Sequence, residues 1–171
     1  MVISFFEKES GELSVDNVVD RINFKRSFEL DSTKEHEFAA SHFFEIEESK
    51  LKKLSIDDLM QILSNSSLKL DNEDQLCSLA LSLAEEDSSF VVLFQEIRFE
   101  YLSCDQMRSF CEFFMERSDH MDSVIWSRLM KRLCLDVEPD ECQNRYKSVE
   151  PKKPSGIDLS FKGNSLEGII H

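Results

Sequence analysis

Apolar residues recur along this chain every three or four positions, in blocks separated by short polar turns. Val15, Val18, Val19 and Ile22 fill the i, i+3, i+4, i+7 positions of one helical face, with Ser14 placed to cap and Leu13 to staple against Val18. Ser32-Thr33-Lys34-Glu35 reads as a capping box opening a second helix, whose face carries Phe38 or Ala39, then His42, Phe43 and Ile46. In the third block Ser55 caps, Asp58 sits at the third helical position, Leu54 faces Leu59, and Ile56, Leu59, Met60 and Leu63 form the stripe. Asp71 precedes Glu73 and Asp74, whose charges suit a helix N-terminus, and Leu76, Leu79, Ala80 and Leu83 follow in phase.

Three further starts follow. Ser89 precedes Phe90, Leu93, Phe94 and Ile97; Ser103 caps with Gln106 in the box and Met107 as staple partner of Leu102, before Phe110, Cys111 and Phe114. A last helix runs from Met121 or Asp122 to Cys134 with Trp126, Leu129, Met130 and Leu133 in phase. Only four glycines occur in the chain, and nothing before residue 135 alternates with period 2 for long. The pattern predicts an all-α fold: about seven amphipathic helices over residues 13–135, packed as consecutive antiparallel pairs. Beyond that the character changes. Residues 136–156 hold all three prolines and the bases Arg145, Lys147, Lys152 and Lys153, which predicts a linker. Ile157, Leu159 and Phe161 alternate with polar residues like a half-buried strand, so residues 157–171 are expected to open another, truncated domain.

Composition narrows the partners. Thirty-four acids against 20 bases give a net charge of -14 and a pI near 4.7, which opposes broad contact with a phosphate backbone, so nucleic acid is excluded as a partner. The longest apolar run, Phe90 to Phe94, is far below the ~20 residues of a bilayer crossing. The start shows no basic leader before an apolar stretch, and a cytoplasmic location is expected. Five cysteines form no C-x-x-C pair and are expected to be reduced, buried, small apolar side chains. Cys104 and Cys111 lie two turns apart and would not chelate one ion.

HEFAASH, residues 36 to 42, tests a metal reading. Zinc peptidases place histidines four apart, on one helical face; here His36 and His42 are six apart and diverge by about 120° around the axis. His42 is expected to be a hydrogen-bonded core histidine and His120 to be exposed. The acidic clusters Glu45-Glu47-Glu48 and Glu85-Glu86-Asp87 read as solvated helix ends rather than as acid–base pairs. Trp126 with Leu129, Met130 and Leu133 reads as core rather than as a cofactor box. No catalytic set, metal or cofactor is expected, and the chain is read as no enzyme.

Residues Ser41 to Phe110 resemble the BACK domain, the helical module that follows a BTB domain in kelch-like proteins. His42-Phe43 stands at the family's H-F pair, Leu54-Ser55 with Asp58-Leu59 matches its helix start, and Ile97-Arg98 with Leu102-Ser103 resembles its V-R-L-P-L-L-S, with Tyr101 for a leucine and Glu100 for the proline. Glu12 to Phe38 resembles the 3-box helix pair that joins BTB to BACK, and the tail FKGNSLEGIIH resembles the opening of discoidin-like domains. The resemblance implies a layout of 1–12 as the end of a missing BTB region, 13–47 as 3-box, 48–135 as BACK, then linker and a further domain. It implies a non-catalytic spacer in a substrate adaptor of a cullin-type ubiquitin ligase, with a cullin scaffold and a client as protein partners and oligomerisation only through the missing BTB domain. By position the cullin-binding cleft would use Phe24 and Phe28; the competing reading of both is core packing between the first two helices. Two other functions stay open: a helical scaffold unrelated to ubiquitin, and a small metal-dependent hydrolase using His36, His42 or the carboxylates.

Overall fold

The computed structural model describes residues 11–115, 117, 121–133 and 145. Among these residues there are seven α-helices: α1 Val18–Ser27, α2 Thr33–Ser41, α3 Glu48–Leu51, α4 Ile56–Leu63, α5 Glu73–Glu86, α6 Cys104–Met115 and α7 Ser123–Leu133. Three 3₁₀ segments join them, at Phe43–Glu45, Ser88–Glu96 and Phe99–Tyr101. Among the described residues there is no sheet, and the fold is all-α, as the periodicity predicts. α1 packs on α2, α2 on α4, α5 on α6, and α7 packs on the second and third 3₁₀ segments. The strand-like alternation after residue 156, the linker apart from Arg145, and His120 lie outside the described residues.

Side-chain caps open α4, α5, α6 and α7, whereas α1, α2 and α3 begin without one. Before α1 the chain turns at Ser14, whose carbonyl accepts the N–H of Val18 at 3.0 Å, while Asn17 Oδ1 accepts the N–H of Ser14 at 2.9 Å. Asn17 thereby makes the reciprocal half of a capping box. Ser55 caps α4 as predicted, accepting the N–H of Asp58. Asn72, not Asp71, caps α5, its Oδ1 accepting the N–H of Gln75 at 2.8 Å. Ser103 caps α6 through the N–H of Gln106, but the side chain of Gln106 turns to Ser78 on α5 instead of closing the box.

The segment expected to be a helix after Ser89 is wound as 3₁₀. Asp87 rather than Ser89 caps it, accepting both the N–H and the hydroxyl of Ser89, and this tight turn sets a three-residue period. Val91, Phe94 and Ile97 then eclipse one another on the buried side. The spacing of Phe90, Leu93, Phe94 and Ile97 satisfies a period of 3 as well as 3.6, which is why the sequence did not distinguish them.

One continuous core joins all these elements, running from Val18 to Ile125. Its aromatic part is centred on Phe94, which is 0% exposed and holds the rings of Phe110 and Phe114 at 5.3 Å each. On α6 the buried residues are Phe110, Phe113 and Phe114; Cys111, expected on that stripe, is exposed, and so is Cys104. Of the described thiols only Cys77 is buried, and burial pushes it up to about 12, so it stays neutral and serves as a small apolar filler. Among the described side chains of α7 Ile125 is buried and Leu129 packs against the core, while Trp126 and Met130 are half-exposed. The one-residue phase error arose because Trp126 dominates the stripe by size. Ile125 faces inward because Asp122 caps the helix through the N–H groups of Val124 and Ile125 and so fixes its rotation.

α1 ends in a Schellman turn. The N–H of Leu30 reaches the carbonyl of Lys25 at 2.9 Å and that of Glu29 reaches Arg26 at 3.1 Å. Glu29 occupies the left-handed position, φ 54°, where glycine is the unstrained residue. Glu29→Gly is therefore expected to raise unfolding stability by about 0.5 kcal/mol, the relief of strain outweighing the entropy that glycine adds to the unfolded chain. Chemical denaturation of both proteins checks the sign; a loss would show that the Glu29 side chain holds something in place.

Candidate protein-interaction site

The charged residues of this acidic chain are not all solvated. Glu35, His36, Asp58 and Glu73 are buried among apolar neighbours, and each finds partners there. Glu35, in the first turn of α2, reaches back to α1, pairing with Lys25 at 2.9 Å and Arg21 at 3.5 Å. This corrects the predicted capping box: Ser32 makes no cap bond, because Glu35 is drawn into the ion pair and Asp31 instead accepts the N–H and hydroxyl of Thr33.

Asp58 ties three helices together. Its carboxylate takes the Ser55 hydroxyl at 2.5 Å and His36 Nε2 at 3.0 Å, and pairs with Arg26 of α1. Burial pushes this carboxyl up, but the hydrogen bonds from Ser55 and His36 and the charge of Arg26 together outweigh it and hold it below its ordinary value. A buried charge needs such compensation, since an unpaired one is costly by several kcal/mol. The result is a polar clasp that fixes how α1, α2 and α4 meet.

The two histidines of HEFAASH are not brought together. His36 is the buried one, directed at Asp58, with its Nδ1 3.4 Å from the Ser32 hydroxyl. His42, expected in the core, is half-buried just past the end of α2; its ring stacks on Phe38 at 4.1 Å, and Nδ1 lies 3.0 Å from the Phe38 carbonyl. The helix ends one residue early for it, since Phe43 is wound into the 3₁₀ turn that follows. The clusters Glu45-Glu47-Glu48 and Glu85-Glu86-Asp87 are exposed.

Sequence reasoning missed the buried acids. Glu35, Asp58 and Glu73 lie in first helical turns, which made them look like dipole or box residues. The available signal was their phase: each stands four residues before a buried position, at Ala39, Ile62 and Cys77.

The clasp borders an apolar surface feature. Phe24 is half-buried and Phe28 is 55% exposed, with ring centroids 4.8 Å apart. Core packing therefore does not account for Phe28. The Schellman turn leaves it at the end of α1, with the Lys25, Arg26 and Glu35 charges nearby in sequence or contact.

The sequence profile of one family, BACK (BTB And C-terminal Kelch), matches residues 26–112. The chain belongs to the BACK family. The match begins inside α1 and ends within α6, so helices α2 to α5, the clasp residues Arg26, His36, Ser55 and Asp58, and the core aromatics Phe94, Phe99 and Phe110 fall within it. No curated protein and no solved structure matches the chain. BACK is a helical interaction module of BTB and kelch proteins. No helix among the described residues is long and apolar enough to cross a membrane.

Proposed function

We propose that this BACK domain is a non-catalytic connector between a BTB-type domain and a C-terminal recognition domain, in a cytoplasmic substrate adaptor of a cullin-type ubiquitin ligase. The family match over residues 26–112 is the observation that carries this reading. The continuous core and the α1–α2–α4 clasp support it physically, because a spacer that sets a distance between two domains must be rigid. Phe24 and Phe28 supply the apolar contact for the cullin's N-terminal segment. Such a segment would lay its own apolar side chains against the α1 end, in the manner of a peptide in a hydrophobic groove.

The test is a pull-down of the full gene product, with its BTB domain, by a cullin scaffold, alongside a control lacking the BTB domain. Enrichment over that control is expected. Phe28→Asp should reduce capture at least tenfold while changing unfolding stability by less than about 1 kcal/mol, because an exposed ring contributes little to folding. Absence of enrichment removes the ubiquitin ligase role. Enrichment that Phe28→Asp leaves untouched removes the Phe24–Phe28 contact alone.

A further inference from the structure

The carboxylate of Glu73, at the first position of α5, is 0% exposed. Its Oε2 accepts the backbone N–H of Arg98, and its Oε1 lies 3.0 Å from Nε of Arg145. Arg145 belongs to the proline-bearing region beyond the BACK match, yet its side chain is only 11% exposed. Two more contacts hold it. Nη2 donates to the carbonyl of Glu96 at 2.7 Å, and its own carbonyl accepts the N–H of Leu70 at 2.7 Å.

These groups are complementary to one residue type. A buried carboxylate and a carbonyl, offered by two different elements, suit a guanidinium, which presents several donors in a fixed planar fork. An ammonium has one point of charge and would reach one of them well. The Leu70 N–H adds a backbone contact to the carbonyl of Arg145.

We propose that Leu70, Glu73 and Glu96 form a receptor site for an arginine, filled in this chain by Arg145, which this contact holds beside α5. The site does not rest on the connector reading, and a failed cullin pull-down leaves it standing.

The test uses the full chain with Arg145→Ala and the peptide ECQNRYKSV, residues 141–149, added in trans. Saturable binding at least tenfold tighter to Arg145→Ala than to the unaltered chain, and lost when the peptide's arginine is replaced by alanine, is the expected result. Equal binding to both chains, or none to a folded Arg145→Ala, overturns the proposal. Amide hydrogen exchange at Leu70 in the unaltered chain and in Arg145→Lys gives a second reading that does not depend on the alanine variant folding. Leu70 should be protected in the first and exchange at least tenfold faster in the second, with the Leu76–Leu83 amides of α5 unchanged. Exchange at Leu70 as fast as in an unfolded chain, or equal in the two proteins, sinks it.

Discussion

Replacing Phe94 by alanine is expected to lower unfolding stability by about 3–5 kcal/mol, a large share of the roughly 5–15 kcal/mol that an ordinary domain has. Phe94 is fully buried, and it touches Phe110, Phe113 and Phe114 from a segment that has only three residues per turn. An α-helix can rotate slightly to collapse onto a void. The Ser88–Glu96 segment is held at its start by Asp87, and at its end Glu96 receives Arg145, so it has little freedom to do so. Urea unfolding followed by helical circular dichroism measures the change. A loss under about 1 kcal/mol would mean that α6 closes the cavity and that the aromatic cluster is not the centre of the core.

Asp58→Ala should cost about 3 kcal/mol at neutral pH, the low end for breaking a buried pair, because Arg26 keeps 44% of its side chain in solvent and can rehydrate. His36 and the Ser55 hydroxyl, by contrast, lose a buried acceptor outright. The effect depends on pH with a definite sign. The folded carboxyl titrates below its ordinary value of 3.8, so its contribution is fully present above that value and fades as the pH falls through the folded one. Comparison of the unaltered protein with Asp58→Asn therefore predicts a stability gap that is constant from pH 7 to about 5 and narrows below pH 4. A gap that stays constant down to pH 2.5 would show that the carboxyl titrates alike in the folded and unfolded chain, so that the clasp does not favour its charged form.

The helical class was legible because apolar spacing reports burial directly, and most stripe residues, among them Ile22, Leu59, Leu76 and Leu83, are buried where their phase puts them. Capping was legible where one side chain had one use, as at Ser55 and Ser103. It failed where a partner on another helix competed: Glu35 left its box for Lys25 and Arg21 on α1, which a reading of the capping motif alone does not include. The interaction site divided in the same way. Phe24 and Phe28 came from resemblance and position, and their spacing alone did not reveal that the Schellman turn leaves Phe28 exposed. Arg145 was unreadable for a different reason. Its partners Leu70, Glu73 and Glu96 are separated from it by up to 75 positions, and its neighbours look like linker.

The nine-residue 3₁₀ segment also has a consequence for reach. At about 2.0 Å per residue, Ser88–Glu96 spans roughly 18 Å, whereas the same residues wound as α-helix would span roughly 13.5 Å. Rewinding would thus shorten the bridge between α5 and the Phe99–Tyr101 turn by about 4.5 Å and carry the Glu96 carbonyl away from Arg145. The segment is a spacer whose length is set by its winding, and insertions or deletions there would be felt as displacement rather than as loss of helix.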